Sequence, residues 1–506
     1  MTLIPPADRG PRTSSRRNAE VLMIVFAVLV VLVAEAIVES TRNGRINSHL
    51  VSYGAVPLGA GLVTHLLVRR FAPYADPLLL PCTILLNGLG LVMIARLDDG
   101  FRQQYREAGT PFNGAAAPSQ VVWTAIGLVL FLVIIIVVRN HRVLQRYAYT
   151  SALIGVFFLA LPAVLPARFS EVNGARIWIR VAGFSLQPGE LAKILLTIFA
   201  ASYLVDKREV LSLAGRRVLG LELPRGRDLG PLLLAWLICI AVLVRGHDLG
   251  TSLMFFGLFV VLLYVATERV SWVVIGLVLF AGGAYLAYHL FDNVQVRVGV
   301  WLHVFNEYNG NGYQVAQSLF GLGTGGLFGA GLGGGHPELV PLPATDFIIS
   351  SFGEELGIFG LVALLMVYVL FVARGFAAAL SVRDSFGKLL AAGLAFSVGW
   401  QLFVVVAGVS RLLPETGLTT PFLSYGGSSL VANYVLLALL LRISDSARRP
   451  AGAPAPPPVE PAGPATGTIP IHQDQDQEPT TPDEKTAVIG EVNVGATNDI
   501  EAVRPE

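Results

Sequence analysis

Charge is scarce in this chain. Only 14% of its 506 residues are Asp, Glu, Lys or Arg, against roughly 25% in a typical soluble domain. Two explanations remain, a very large buried core or lipid as the solvent, and run length decides between them. Residues 20–39 are almost wholly apolar, with Glu35 as the one internal charge, and 121–138 and 249–267 carry no charge at all. Stretches of about 18 apolar residues span a bilayer; buried helices of soluble proteins rarely run so far without a polar face. Cysteine is nearly missing. Cys82 and Cys239 sit inside apolar spans and read as small apolar filler, which excludes a redox pair or a thiolate metal site. No basic cluster stands clear of the loop ends and the net charge is +1, so nothing calls for a nucleic-acid partner. A small-residue cleavage site is also lacking. The basic segment with Arg9, Arg12, Arg16 and Arg17 therefore precedes a retained helix, not a cleaved signal peptide.

What is present is an all-α polytopic membrane protein. Spans are expected near 20–40, 49–68, 77–96, 119–139, 146–165, 189–205, 231–245, 249–267, 272–291, 348–373, 387–408 and 424–443, about twelve in all. With the N-terminus inside, the cytoplasmic segments hold about twice as many Lys and Arg as the outer ones. Both termini are then cytoplasmic in the inner membrane, and 166–188, 292–347 and 409–423 lie outside. The chain divides into a cytoplasmic segment (1–19), two N-terminal spans (20–76), a membrane core (77–445) and a tail (446–506). The tail, rich in Pro, Thr, Asp and Glu, cannot bury enough apolar surface to offset chain entropy and is expected to be disordered.

Charged groups inside a membrane are costly, so each needs a partner or a purpose. Arg176, Trp178 and Arg180 alternate with apolar residues. An interfacial strand or amphipathic helix would leave these arginines free to grip phosphates, the structural alternative being a plain anchor. Glu190 and Lys193, three apart, share one helix face and can pair. They read as a structural ion pair or as contacts to an anionic substrate. Asp248, in a short turn, is placed to cap the next helix.

The long outer segment carries Glu307, Tyr313, Gln314, Gln317 and Ser318, then a glycine run from Gly321 to Gly335. Two chance matches to G-x-G-x-x-G occur there. With no preceding strand and no phosphate-loop Lys-Ser/Thr, they are not nucleotide sites. Glycine does let non-helical backbone line a cavity and approach a ligand. The segment ends at Asp346, and Glu354 and Glu355 open the next span, where the helix dipole favours carboxylates. Thr416, Pro421, Ser424, Tyr425, Gly426, Gly427 and Ser428 form a stretch that suits a broken or re-entrant segment lining a pocket.

These segments together resemble the SEDS family (shape, elongation, division and sporulation), known from RodA, FtsW and SpoVE, and are nearest to its actinobacterial RodA branch. The motifs are Gln187-Pro-Gly-Glu190-Leu-Ala-Lys193, His247-Asp-Leu-Gly-Thr251, Gly312-Tyr-Gln-Val-Ala-Gln-Ser318, Thr345-Asp-Phe with Gly353-Glu-Glu-Leu-Gly357, and Thr416-Gly-Leu with Pro421 through Ser429. The resemblance covers roughly residues 77–445 and implies a ten-helix core with two added N-terminal helices and a long outer loop between helices nine and ten. It implies a peptidoglycan glycosyltransferase that links lipid II units into glycan carried on undecaprenyl pyrophosphate, serving elongation and cell shape, with a class B penicillin-binding protein as partner. A lipid II flippase, or a weak scaffold for the transpeptidase, is the alternative. Membrane-midplane polar groups, expected of an alternating-access site, are not the pattern here. Glu307 falls where the family places its catalytic Asp, five residues before Gly312-Tyr-Gln. The longer side chain leaves two readings: Glu307 is the base in a shifted pocket, or the duty passes to Asp346, Glu354 or Glu355. The other motif residues named above are then substrate contacts. Further departures are Val304 and Tyr308 in place of prolines, Ala344 in place of a His, and Ile177 in place of an Arg. No cofactor is firmly implied; the leaving pyrophosphate needs positive charge from arginine or from a divalent cation such as magnesium or manganese.

Overall fold

The computed structural model describes residues 13–44, 49–172, 175–181, 184–208, 217–218, 221–222, 230, 234, 237 and 248–450. Apart from Leu234 and Leu237, the span expected at 231–245 lies outside the described residues. So do Arg9, Arg12, Asn173, Arg216, Arg225, Arg227, Cys239, His247 and the tail from residue 451.

The helices are α1 (Thr13–Asn43), α2 (His49–Phe71), α3 (Leu79–Glu107), α4 (Ala117–Val137), α5 (Ala148–Val164), α6 (Pro188–Asp206), α7 (Leu249–Thr267), α8 (Ser271–Leu290), α9 (Asp292–His303), α10 (Tyr313–Gly325), α11 (Ile348–Ser381), α12 (Ser385–Val409) and α13 (Gly427–Arg448). Single helical turns occur at Val143–Arg146 and Ala167–Ser170. Among the described residues nine helices are long and apolar enough to cross a membrane; α5, at 17 residues, is a shorter apolar helix. Two antiparallel hairpins, β1 (Glu171–Val172) with β2 (Ala175–Arg176) and β3 (Ile179–Val181) with β4 (Phe184–Leu186), lead into α6.

Helix ends follow local chemistry. Pro188 opens α6, where its missing N–H costs nothing. Asp384 caps α12 by accepting from the Gly387 N–H at 2.8 Å. α3 and α13 are almost wholly enclosed and form the centre of the bundle, whereas α8 turns nearly all its side chains outward. The core is dense enough to dictate glycine: a Cβ on Gly427 would stand 2.1 Å from the Trp123 ring, and one on Gly90 would stand 2.3 Å from the Leu423 carbonyl oxygen.

The stretch 292–347, expected as one long loop, holds two helices. In α9, Val300 is buried and Val294 and Val298 are half-buried, whereas Val296 is exposed, and the helix also carries Arg297. In α10 Gly321 and Gly325 sit inside a helix because close packing, rather than a turn, requires them: a Cβ on Gly325 would lie 2.0 Å from the Gly353 carbonyl oxygen. After α10 the chain inserts into a break in α11. Gly357 has φ 66° there. Ala330 and Gly331 donate to the carbonyls of Glu354 and Glu355, and Ile358 and Phe359 donate to those of Gly326 and Leu327. The glycine segment thereby satisfies backbone groups that the break would otherwise orphan.

Candidate functional site

The expected pair in α6 is formed and sealed. Lys193 Nζ donates to Glu190 Oε2 at 2.9 Å and to Gln401 Oε1 at 2.8 Å. Gln401 Nε2 donates to Glu190 Oε1 at 3.3 Å and to the Thr419 carbonyl at 2.8 Å. Lys193 is wholly buried. The triad ties α6 to α12 and to the 409–426 segment and leaves little of either charge for a ligand. Gln401 carried no motif; a lone amide in an apolar span was its one signal.

Asp248 accepts from the Thr251 N–H at 2.9 Å, the capping role read from its position. Burial pushes its carboxyl up; the bonds from Thr251 and the nearby Arg297 oppose this. Gln187 approaches it at 3.5 Å and donates its backbone N–H to Ser428 Oγ at 3.0 Å. Two residues on, Gly250 leaves room for the Thr416 carbonyl, 2.4 Å from where a Cβ would stand. The turns before α6, α7 and α13 therefore meet.

The 409–426 segment joins them to the end of the long outer stretch. Ser424 Oγ donates to the Thr345 carbonyl at 2.6 Å, and the Tyr425 N–H donates to the Ala344 carbonyl at 2.8 Å. The Pro421 carbonyl accepts from Tyr368 Oη at 2.5 Å. Gly426 is extended and Gly427 fits under Trp123, so both are fixed by packing. Asp346 and Glu415 flank Gly417: one carboxylate oxygen from each lies 3.8 Å from where its Cβ would be. Arg297 donates to the Glu415 carbonyl at 2.7 Å and stands 3.7 Å from its carboxylate. Burial, then Glu415, raises the Asp346 carboxyl to about 7, while Thr345 and Arg297 oppose the shift. Arg297 and Glu415 were not singled out in the sequence, because α9 carries no motif and its place beside Asp346 is a tertiary fact.

Glu307 lies in the turn after α9, exposed, and its carboxylate has no hydrogen-bond or ion-pair partner among the described residues. The turn is held by backbone bonds from Gly310 and Gly312 to the Glu307 carbonyl, both 3.0 Å. Tyr308 stacks edge-on to Tyr313 and accepts from Gln317 at 3.1 Å. Gln314 is partly buried, and Ser318 is buried, its hydroxyl facing the Val409 carbonyl. Trp301 and Arg411 exchange hydrogen bonds, so α9 is clasped to the rim near Glu415.

Arg176 is exposed on β2 and pairs with Glu171 at 3.1 Å; Arg180 is exposed on β3. Glu354 and Glu355 are buried and have internal partners. Glu354 accepts from the His336 N–H at 2.7 Å, and Glu355 meets Arg96 Nε at 2.5 Å and the Gly333 N–H at 3.0 Å. Arg96 also holds Glu338 at 2.5 Å, and although burial raises the Glu338 carboxyl, Arg96 and the bonds around it bring it below its ordinary value. The position of Glu354 and Glu355 near the start of α11 pointed to a dipole effect; the fold supplies Glu355 with a guanidinium from α3 and Glu354 with the His336 N–H. Among the described residues no three His, Cys, Asp or Glu side chains converge on one point.

Residues 77–449 match the family profile of FtsW, RodA and SpoVE, described as cell cycle proteins. The peptidoglycan glycosyltransferase RodA of Mycobacterium tuberculosis (strain ATCC 25618 / H37Rv) is 52% identical over 447 residues, 88% of this chain and 94% of the relative. A probable peptidoglycan glycosyltransferase FtsW of Geobacter sp. (strain M18) is 33% identical over 384 residues, 75% of this chain and 99% of the relative. Among solved structures, one of a peptidoglycan synthase complex that coordinates polymerization and crosslinking aligns with TM-score 0.52 and 28% identity, covering 70% of this chain and 96% of its own. The rod shape determining protein RodA of Thermus thermophilus aligns with TM-score 0.50 and 27% identity, covering 74% and 98%.

Proposed function

The chain belongs to the FtsW, RodA and SpoVE family and is a multi-pass membrane peptidoglycan glycosyltransferase, and from that premise we propose that it polymerises lipid II on the outer face of the inner membrane, with both termini cytoplasmic. The observation that supports this reading is the meeting of four turns at one end of membrane-length helices, with Asp248, Asp346, Glu415 and Arg297 among them. A substrate with a long lipid, a pyrophosphate and a sugar needs such a polar rim on an apolar bundle. The acceptor sugar hydroxyl attacks the anomeric carbon of the donor, forming the new C–O bond. The bond to the pyrophosphate breaks and its electron pair leaves with the phosphate oxygen. The hydroxyl proton passes to a carboxylate, for which we assign Glu307. The Glu307 side chain is free of internal partners among the described residues, as a base that must meet a ligand requires. Arg176 and Arg180, exposed on hairpins that precede α6, are assigned to the substrate phosphates.

The partner in this reading is a class B penicillin-binding protein that cross-links the peptides, and the cellular role is elongation. The decisive assay is polymerisation of purified lipid II by the purified protein and by Glu307→Gln. Polymer from the wild type and none from the variant supports the assignment. Equal polymer from both removes Glu307 from the base role. No polymer from either, with the partner added, favours a transporter or scaffold. Depletion in cells separates roles: rounding or bulging indicates elongation, filamentation division.

A further inference from the structure

We propose that Arg96 is a positioning residue for the transfer reaction: it locks the glycine segment 326–340 into the break of α11 and so sets the rim that carries Asp346. The proposal rests on the glycosyltransferase reading above and adds to it a residue outside every motif.

The guanidinium of Arg96 is completely buried and reaches three acceptors, one in α11 and two in the inserted segment. Its Nε meets Glu355 in α11, one terminal nitrogen meets Glu338, and the other donates to the Gly335 carbonyl, each at 2.5 Å. The second Glu355 oxygen accepts from Gly333, and Glu354 accepts from His336. Both ends of the inserted segment are therefore gripped, its start by the backbone bonds across Gly357 and its end by Arg96.

The glycines were shaped around these charges. A Cβ on Gly100, one turn beyond Arg96, would stand 3.0 Å from both the Arg96 guanidinium and the Glu338 carboxyl. A Cβ on Gly321 or Gly335 would stand 3.0 or 2.9 Å from a Glu354 oxygen. Within the glycine run, Gly321 and Gly335 make room for the Glu354 carboxylate.

A cluster of this kind is a poor choice for stability alone. Well-packed apolar residues commonly hold a site as firmly as a buried ion cluster, whereas directional charge pairs fix one register among several. The register matters here because Asp346 follows Glu338 by eight residues, and its neighbours Ala344 and Thr345 are bonded to Tyr425 and Ser424. A slip of the inserted segment would move Asp346 relative to Gly417, and a misplacement of about 1 Å costs on the order of a hundredfold in rate.

The test uses three variants of the full chain in detergent or nanodiscs. Glu338→Gln keeps side-chain volume, Arg96→Met removes the charge, and Arg96→Met/Glu338→Gln/Glu355→Gln removes the charge without stranding carboxylates. Lipid II polymerisation gives kcat and KM, thermal melting reports the fold, and backbone hydrogen exchange over 327–347 is read without substrate. The expected result is a fall in kcat of about a hundredfold in Arg96→Met and about tenfold in Glu338→Gln, with KM for lipid II within about threefold. Exchange in 327–347 should rise in both. The triple variant should recover the melting temperature but not kcat. Recovery of both would make the cluster purely structural and overturn the proposal, as would wild-type kcat in Glu338→Gln. Unchanged exchange in 327–347 overturns it even if the wild type makes no polymer, a result that would fail the functional reading separately.

Discussion

Two groups of polar residues stand at the same end of this bundle and were nearly indistinguishable in sequence. In one group, Glu190, Lys193, Glu354 and Glu355 are consumed by internal partners: Gln401, Arg96 and backbone amides. In the other, Glu307, Arg176 and Arg180 face outward, and Asp346 stands between the two conditions, partly buried beside Glu415. A charge in an apolar sequence marks a constraint, and the constraint is met either by a partner within the fold or by a ligand. The two groups should fail in opposite ways when mutated.

The sharpest test is Glu307→Gln. An exposed side chain without partners contributes little to stability, so melting should be unchanged while polymerisation falls by about a hundredfold to ten-thousandfold, the usual worth of a general base. A variant that melts early would place Glu307 with the internal group. Lys193→Met should do the reverse. It strands Glu190, which costs about 3–5 kcal/mol of stability, read by denaturant or thermal unfolding. The double variant Glu190→Gln/Lys193→Met should recover much of it. Activity lost in that refolded double variant would move the pair toward the substrate.

Asp346 gives a pH-dependent comparison. Its carboxyl titrates at about 7 in the fold, against an ordinary value of 3.8. The folded state therefore holds a proton that the unfolded chain has lost, and stability falls as pH rises from about 4 to about 7. Asp346→Asn should flatten that part of the melting-temperature profile, and a slope as steep as the wild type's would remove Asp346 as its source. The smallest effect is expected for Arg176→Gln. Its ion pair with Glu171 is exposed, and such pairs are worth about 0–1 kcal/mol. Melting should stay put, and KM for lipid II should rise only a few-fold, measured by initial rates. No change in KM would return Arg176 to the role of interfacial anchor.

Much of the architecture was legible from local pattern. The apolar runs that became α1, α4, α7, α12 and α13 needed only hydropathy and length. The capping role of Asp248 needed only its place before Leu249. The stretch 292–347 was harder. Its glycines and polar residues spell a loop, but α10 is helical because α11 lies against its glycine face. Arg297 was invisible as a site residue because α9 has no motif. Arg96 was visible as a charge at the end of a span, yet nothing nearby named its partner.

What this sequence determined by itself is which segments leave water and which do not. Transfer into lipid is a sum over consecutive side chains, so a window of the chain contains the answer. Which charges would be neutralised inside and which would remain for chemistry was decided by the tertiary structure. Arg96 and Glu355 are 259 positions apart, and Lys193 and Gln401 are 208 apart. An electrostatic partner acts over a few ångströms of space, and no window of sequence records which helix the fold will bring that close.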